Sequence, residues 1–469
     1  MRGWSWHRVR QLLAVMALML LIAGMLTLTG CAPKRLSPLD PGPKDDTVAE
    51  GAAPAPQLLA VGLAEGRPTL DVSVDGPAVV LDAGSRARLH TFGEAGGRLQ
   101  ASRAGDAVRW NVGGGWLVHG SIVLQPMDPD QRLSLGEQDF RGDFLIIPSP
   151  RVSGLTLVNQ VGLEDYLYGV VPWEIGRHGQ PEQAALAAQA VAARTYTISH
   201  MGSRRALGFD VYASVMDQVY KGSRHEDALC NAAVDATAGL VLMHGDDLVD
   251  AYYSACCGGH SSCIDKVWPR EAASYLRNRR DSRHGGQAFC ADSRYFTWRE
   301  EWPAGRLEDI LQKTLPAYVE YMADAARAPW AHPVFTPRRA DGDWRRPGQL
   351  LDMKIVARTP SGRVGRLIVQ TTAGSYTIKG DRTRWVLAPS SGKPAILRSA
   401  LFDLKLERSD GRLRRVVARG QGYGHGIGLC QTGALEMSRQ GFSAREILTH
   451  YYPGSELRHL KLRHPAQGR

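Results

Sequence analysis

The sequence predicts an α+β protein, a mixed domain of antiparallel sheet and helix preceded by a β-rich module. Three observations carry that prediction. Between Leu58 and about Pro148, apolar residues recur with period two in LDVSV, AVVLDA, RLHTF, WLVHGSIVLQP and FLIIPS, separated by Asp-Gly, Gly-Gly and Pro-Met-Asp-Pro turns. From Ala184 to Ala193 the chain is almost all alanine, with Leu186 and Val191, which gives high helix propensity and side chains small enough for close backbone approach. Beyond residue 350 the strand pattern returns in LLDMKIVART, GRLIVQTT, GSYTIKG and FDLKLER.

In chain order, residues 1–30 read as a leader. Arg2, Arg8 and Arg10 precede an apolar run from Leu12 to Leu28, and Leu28-Thr29-Gly30-Cys31 follows. The run is long enough for one membrane span, but the cysteine fits a bacterial lipobox, in which the Cys31 thiol is lipidated and the preceding peptide removed. That implies an extracytoplasmic, membrane-anchored lipoprotein of the cell envelope. Residues 31–57, rich in Pro, Ala, Gly and Asp, read as a flexible tether, and 58–150 as the β-rich module. The formal net charge of +10 suits an anionic wall or membrane surface. The arginines are scattered rather than interleaved with aromatics, so no nucleic-acid module is recognised. A hydrophobic content of 43% over 469 residues supports a sizeable core.

The main domain spans 151–460, with a Pro- and Arg-rich insert at about 277–348. At its start, Leu167, Val170 and Val171 lead into Pro172, which cannot continue a ladder, so a strand-like run ending in a bend at Trp173-Glu174-Ile175 is expected. Pro181-Glu182 is a helix first-turn signature, and the alanine helix should begin there. Gln183 and Arg194, eleven residues apart, return to nearly the same helix face and suggest a polar cleft. Glu174 reads either as a solvated turn carboxylate or as a general acid whose apolar neighbours Trp173 and Ile175 raise its pKa. Spacing alone leaves both open. A helix is expected at about Asp227 to Ala236, a hairpin turning at Gly245-Asp246-Asp247, and a further helix near Leu307 to Ala326.

Seven cysteines are present, and six remain once Cys31 is set aside. Cys257, His260 and Cys263, with Cys290 or Cys256, have spacings that suit a closed tetrahedral structural zinc site. Disulfides such as Cys257–Cys290 compete in an oxidising compartment. In GYGHGIGLCQTGA, alternating glycines allow tight turns and close approach to a ligand while His425 projects from the bend. It is not a phosphate loop, because no Lys-Ser or Lys-Thr follows.

LEDYLYGVVPWEI followed by QAALAAQAVAARTY, then DQVYKG, AYYSACCGGHSS, GYGHGIGLCQTGA and ILTHYYPGSEL in that order, resemble the SpoIID/LytB family of bacterial cell-wall proteins. These motifs span roughly residues 155 to 457. The resemblance implies a peptidoglycan-active protein. It points to a lytic transglycosylase cleaving MurNAc–GlcNAc strands to 1,6-anhydro ends with Glu174 as acid and then base, and requiring no cofactor for the chemistry. Its alternative is a non-enzymatic glycan-binding enhancer of a partner amidase. On either, peptidoglycan strands are the partner and the membrane is reached through the lipid anchor. Arg194, Gln218, Tyr220, Tyr252, Ser254, His425 and Gln431 are the substrate-groove residues the resemblance implies. The sequence departs from the family pattern at Tyr423, where Trp is common, and at Cys430-Gln431-Thr432, where Ser-Gln-Trp is common.

Overall fold

The computed structural model describes residues 58–282, 286–323 and 334–460. The expected leader, Cys31 and the tether lie outside the described residues, as does part of the expected insert. No described helix is long and apolar enough to cross a membrane.

The period-two runs form two sheets. A six-stranded sheet has the order Gln138–Phe140, Leu133–Leu135, Thr69–Val74, Gly97–Ala104, Ala107–Asn111, Leu117–His119. A seven-stranded sheet has the order Val211–Tyr212, Leu59–Arg67, Leu155–Val161, Asp143–Pro148, Ile122–Pro126, Ala78–Asp82, Arg88–Phe92. Its neighbours are antiparallel except for Val61 and Gly62 beside Val211 and Tyr212, which run parallel. Alternation puts Val72, Leu99, Trp110, Ile122, Phe144 and Ile146 inside, all buried. The larger sheet crosses residue 150, so the strand Leu155–Val161 ties the β-rich segment directly to the helices that follow.

Those helices surround the alanine helix, Gln183–His200, where every residue from Ala185 to Thr197 is buried. It packs against the helices Leu163–Glu174, Ala228–Ala236, Gln431–Arg439 and Ala444–Tyr451 and the strand Leu240–His244. Asp227 caps the second of these through the N–H groups of Leu229 and Cys230, and Leu240–His244 turns back to Asp247–Leu248 as the expected hairpin. A second core lies among the strands Thr297–Pro303, Leu350–Arg358, Val364–Thr371, Gly374–Lys379, Phe402–Ser409 and Arg412–Gln421. The amphipathic helix Ala304–Met322 covers it, with Trp302, Leu311, Leu367, Tyr376 and Val416 inside.

Two expectations need correction. Leu163–Glu174 is a helix, not a strand-like run: Tyr166, Leu167, Val170 and Val171 recur at helical spacing and are buried. Pro172 costs this helix the bond its N–H would have made to the Tyr168 carbonyl, yet the turn continues past it, and the Ile175 N–H still reaches the Val171 carbonyl. Gly169, in mid-helix, is required by a close approach, since a Cβ there would lie 2.6 Å from the Tyr220 ring. Arg194, in turn, faces no cleft. It is fully buried, paired to both Glu164 oxygens at 2.8 and 2.5 Å, and it also donates to the carbonyls of Val234 and Leu240. It is the buried tie between the alanine helix and its neighbours.

Replacing Arg194 by Met removes the ion pair to Glu164, leaving that carboxylate the Gly239 N–H, and removes one donor from each of two carbonyls. Denaturant unfolding should show a loss on the order of 3 kcal/mol.

Candidate functional site

Glu174 closes the Leu163–Glu174 helix and is half-buried. Its Oε1 accepts the main-chain N–H of Val219 at 2.6 Å, and the Gln431 side chain hydrogen-bonds it from the start of the Gln431–Arg439 helix. Both contacts favour the carboxylate, yet burial outweighs them and raises its pKa to about 7. The apolar neighbours in sequence contribute unequally. Ile175 is buried, but Trp173 is 43% exposed and turned against His225 instead.

Under Glu174 lies a network of neutral polar groups. Gln218 is fully buried: its Oε1 accepts from Tyr166 at 3.1 Å and Thr197 at 2.7 Å, and its Nε2 donates to Tyr253 at 2.9 Å and the Ala193 carbonyl at 3.2 Å. The Glu174 charge acts on both tyrosines, whose hydroxyls are pushed well up, chiefly by burial. Gln218 is therefore a buried hub rather than part of a groove wall. Tyr220 is also core, donating to Asn159 at 2.9 Å and packed against Tyr166 and Phe140. What the DQVYKG segment offers Glu174 is the N–H of Val219, between these two side chains.

Gln431 also donates to Gln189 at 3.3 Å. Sequence reasoning gave Gln189 no role, although it is the single polar residue in the Ala184–Ala193 run, and that isolation was the available signal. The Gln189 Nε2 is buried without a partner.

His425, Tyr252 and Ser254 form a second group. Tyr253 and Ser254 pair in parallel with Leu429 and Cys430, so alternate side chains leave opposite faces. Tyr253 reaches the Glu174 network through Gln218. Ser254 accepts the N–H of Gly426 at 3.2 Å. His425 lies 4.9 Å from the Trp268 ring and 6.2 Å from Tyr252, centroid to centroid, and Tyr252 meets Trp268, His200 and Tyr196 in turn. Its Nδ1 accepts from Ile427 at 3.0 Å. Burial lowers the His425 pKa to about 4, partly offset by the Asp381 carboxylate and by a hydrogen bond with the Tyr253 backbone, so the ring is neutral at physiological pH. The loop glycines are needed here: all four have positive φ, and a Cβ on Gly428 would lie 2.0 Å from the Tyr252 carbonyl oxygen. Gln431 thus joins Glu174 directly, while His425 belongs to an adjoining aromatic cluster on the far side of Tyr253.

The cysteines assemble differently from expectation. Cys257, Cys290 and Cys430 converge with Asp281, their ligand atoms all within 4.8 Å of one another and all four residues buried. His260 is exposed, bridging in the main chain to Arg280, and the Cys263 Sγ accepts from the Asn278 N–H at 3.2 Å. Neither joins the cluster. Cys430 and Asp281, remote in sequence from the CCGGH segment, take their places.

Residues 151–244 match the family described as Stage II sporulation protein (SpoIID), and 338–428 match a domain of unknown function, DUF8618. Among curated relatives, the Stage II sporulation protein D of Bacillus amyloliquefaciens is 28% identical, over 66% of this chain and 78% of its own. An uncharacterized protein of Brachyspira hyodysenteriae is 26% identical, over 72% of this chain and 76% of its own. The Amidase enhancer of Bacillus subtilis is 27% identical over 62% of this chain, but the match spans only 40% of that longer protein. With the ordered motifs converging on Glu174 and its partners, these likenesses support the resemblance to the SpoIID/LytB family.

Proposed function

We propose that the protein is a peptidoglycan lytic transglycosylase with Glu174 as its acid and base. The observation that carries this reading is a half-buried carboxyl group whose pKa burial raises to about 7, held by one main-chain N–H and one amide. At neutral pH a large share of Glu174 is protonated, which a general acid needs. In the step proposed, Glu174 gives its proton to the oxygen linking MurNAc to GlcNAc, and the C1–O bond breaks toward the leaving GlcNAc. The resulting carboxylate takes the proton of the MurNAc 6-hydroxyl as that oxygen bonds C1, closing the 1,6-anhydro ring and regenerating the acid. One carboxyl group suffices, whereas two-carboxylate hydrolysis assigns a second to water or to a covalent intermediate. The likeness to the SpoIID/LytB family, with one relative named Amidase enhancer, supports a role at peptidoglycan. The same relative favours a second reading, a non-enzymatic glycan binder that stimulates a separate amidase.

The Leu-Thr-Gly-Cys31 sequence supports an acylated anchor in the cell envelope, and several acyl chains on one residue would make it stable.

Purified glycan strands incubated with the full chain in detergent should yield anhydro-ended fragments by mass spectrometry. Glu174→Gln should lower their rate of formation on the order of 10²–10⁴-fold. Binding of intact strands without any cleavage would support the enhancer reading instead. The rate at low substrate should fall as pH rises through about 7 and Glu174 loses its proton. Gln431→Leu removes a contact that favours the carboxylate, so this alkaline limb should move to higher pH. Cys31→Ser should abolish incorporation of a labelled fatty acid and release the protein from membranes, as checked by fractionation.

A further inference from the structure

The cysteine cluster does something the chemistry at Glu174 does not explain. Three segments far apart in sequence bring Cys257, Asp281, Cys290 and Cys430 to one buried point. The Cys257 and Cys290 sulfurs are 3.6 Å apart. A disulfide requires about 2.05 Å, whereas two sulfurs each about 2.3 Å from a tetrahedral zinc lie roughly 3.8 Å apart. The Cys257 N–H also points at the Cys430 sulfur, at 3.2 Å, the orientation that supports a thiolate. Asp281 is already oriented: Oδ1 accepts from Tyr451 at 2.8 Å, and Oδ2 faces the Cys257 sulfur at 3.1 Å.

An independent observation comes from Arg363. Its guanidinium is buried beside the cluster and donates to the carbonyls of Cys257 at 2.6 Å and His260 at 3.0 Å, while its Nε has no partner. Asp381, a carboxylate close enough to act on it, is already paired with Arg384. A buried cation without a paired anion is costly, and neutral thiols do not offset it. Gly426 makes room for this guanidinium, since a Cβ there would lie 2.0 Å from Arg363 Nη2.

We propose that Cys257, Cys290, Cys430 and Asp281 bind a thiophilic divalent cation, zinc by its fit to this donor set, with Arg363 as the buried counter-charge. Binding releases three protons: each thiol gives up its hydrogen as its sulfur bonds the metal, and the Asp281 carboxylate completes the tetrahedron. The site then carries a net charge of two minus, which the Arg363 guanidinium partly neutralises. Cys256, also buried and hydrogen-bonded to the Cys290 and Cys430 thiols, lies beside the four without being one of them. The metal would fix Cys430, and Gln431, the residue that hydrogen-bonds Glu174, follows it directly in the chain. This inference does not depend on the transglycosylase reading.

The test is the metal content of the full chain purified in detergent, with Co²⁺ exchanged into the same protein. About one zinc per chain is expected, together with the intense visible absorption and thiolate charge-transfer band of tetrahedral cobalt. Cys290→Ser and Asp281→Asn should lose the metal or change the cobalt spectrum, whereas His260→Ala and Cys263→Ser should leave both unchanged. Arg363→Met should weaken zinc retention against a competing chelator at least tenfold. A metal-free protein in which non-reducing peptide mapping finds a disulfide among Cys256, Cys257, Cys290 and Cys430 would overturn the proposal. So would a zinc that depends on His260 or Cys263. Because the wild-type cobalt spectrum requires no substitution, a variant that fails to fold does not blunt the test.

Discussion

Everything near Glu174 depends on how closely other elements approach the alanine helix. A helix buried along its length by larger side chains would hold its neighbours farther away. Here Ala185, Ala187, Ala188, Ala190, Ala192 and Ala193 let four helices and a strand close around one axis. Glu174 comes from one of those helices and Gln431 from another. The Val219 N–H comes from a loop pinned to the same axis through Gln218 and the Ala193 carbonyl. No two of these groups are neighbours in sequence, so their geometry is inherited from the helix between them. Within the helix, Arg194 supplies the directional part of the packing, since a fully buried guanidinium with fixed acceptors permits one rotation of the helix and not others.

The environment of Glu174 divides labour between two kinds of group. Tyr166, Tyr253, Thr197 and Gln218 are neutral and satisfied by one another, so they hold shape without supplying charge. The pKa of Glu174 is set instead by burial working against two hydrogen bonds. A balance of this kind is tuned by small displacements. A Val219 N–H that moved away would push the carboxyl further up, and a neighbouring cation would pull it below the range useful for proton donation. Arg194, the cation expected in the groove, is committed to Glu164 instead, and no cation is among the groups that set the Glu174 pKa.

Much of this was legible in the sequence, and what was missed follows a pattern. Period-two runs gave the strands, the alanine run gave the central helix, and Asp227 gave a cap. Glu174 and Gln431 stood out through their motifs. The Leu163–Glu174 helix was misread because Pro172 was weighed as a strand terminator, when the buried residues Tyr166, Leu167, Val170 and Val171 at helical spacing outweigh the one N–H bond it removes. Arg194 and Tyr220 were assigned to a groove because a polar residue in a motif reads the same whether it meets a ligand or a buried carboxylate. Only the fold shows that Glu164 and Asn159 are waiting for them. The Val219 contact was invisible because it is made by the main chain, which carries no residue-specific signal. The cysteine cluster failed for another reason: spacing rules search locally, and Cys430 lies far along the chain from Cys257.

The position of Cys430 places the cysteine cluster next to the Glu174 site. The parallel pairing of Ser254 with Cys430 sets the register between the CCGG turn and the glycine-rich loop, and Cys256 continues it by exchanging two main-chain hydrogen bonds with Tyr423. On one side of this seam Tyr253 and Gln431 face Glu174. On the other, Arg363 reaches from the sheet that packs on the second core and donates to the carbonyls of Cys257 and His260. A shift of the seam by one residue would exchange its faces, carrying Tyr253 away from Gln218 and a neighbour into its place. Loops rich in glycine resist such slippage poorly, so the register needs fixing by something other than main-chain pairing. Side chains on both strands, Ser254 with the Gly426 N–H and Cys430 with the Cys257 N–H, provide that fixing. The residues that hold the acid in place are thereby tied to the sheets of the second core through buried polar contacts.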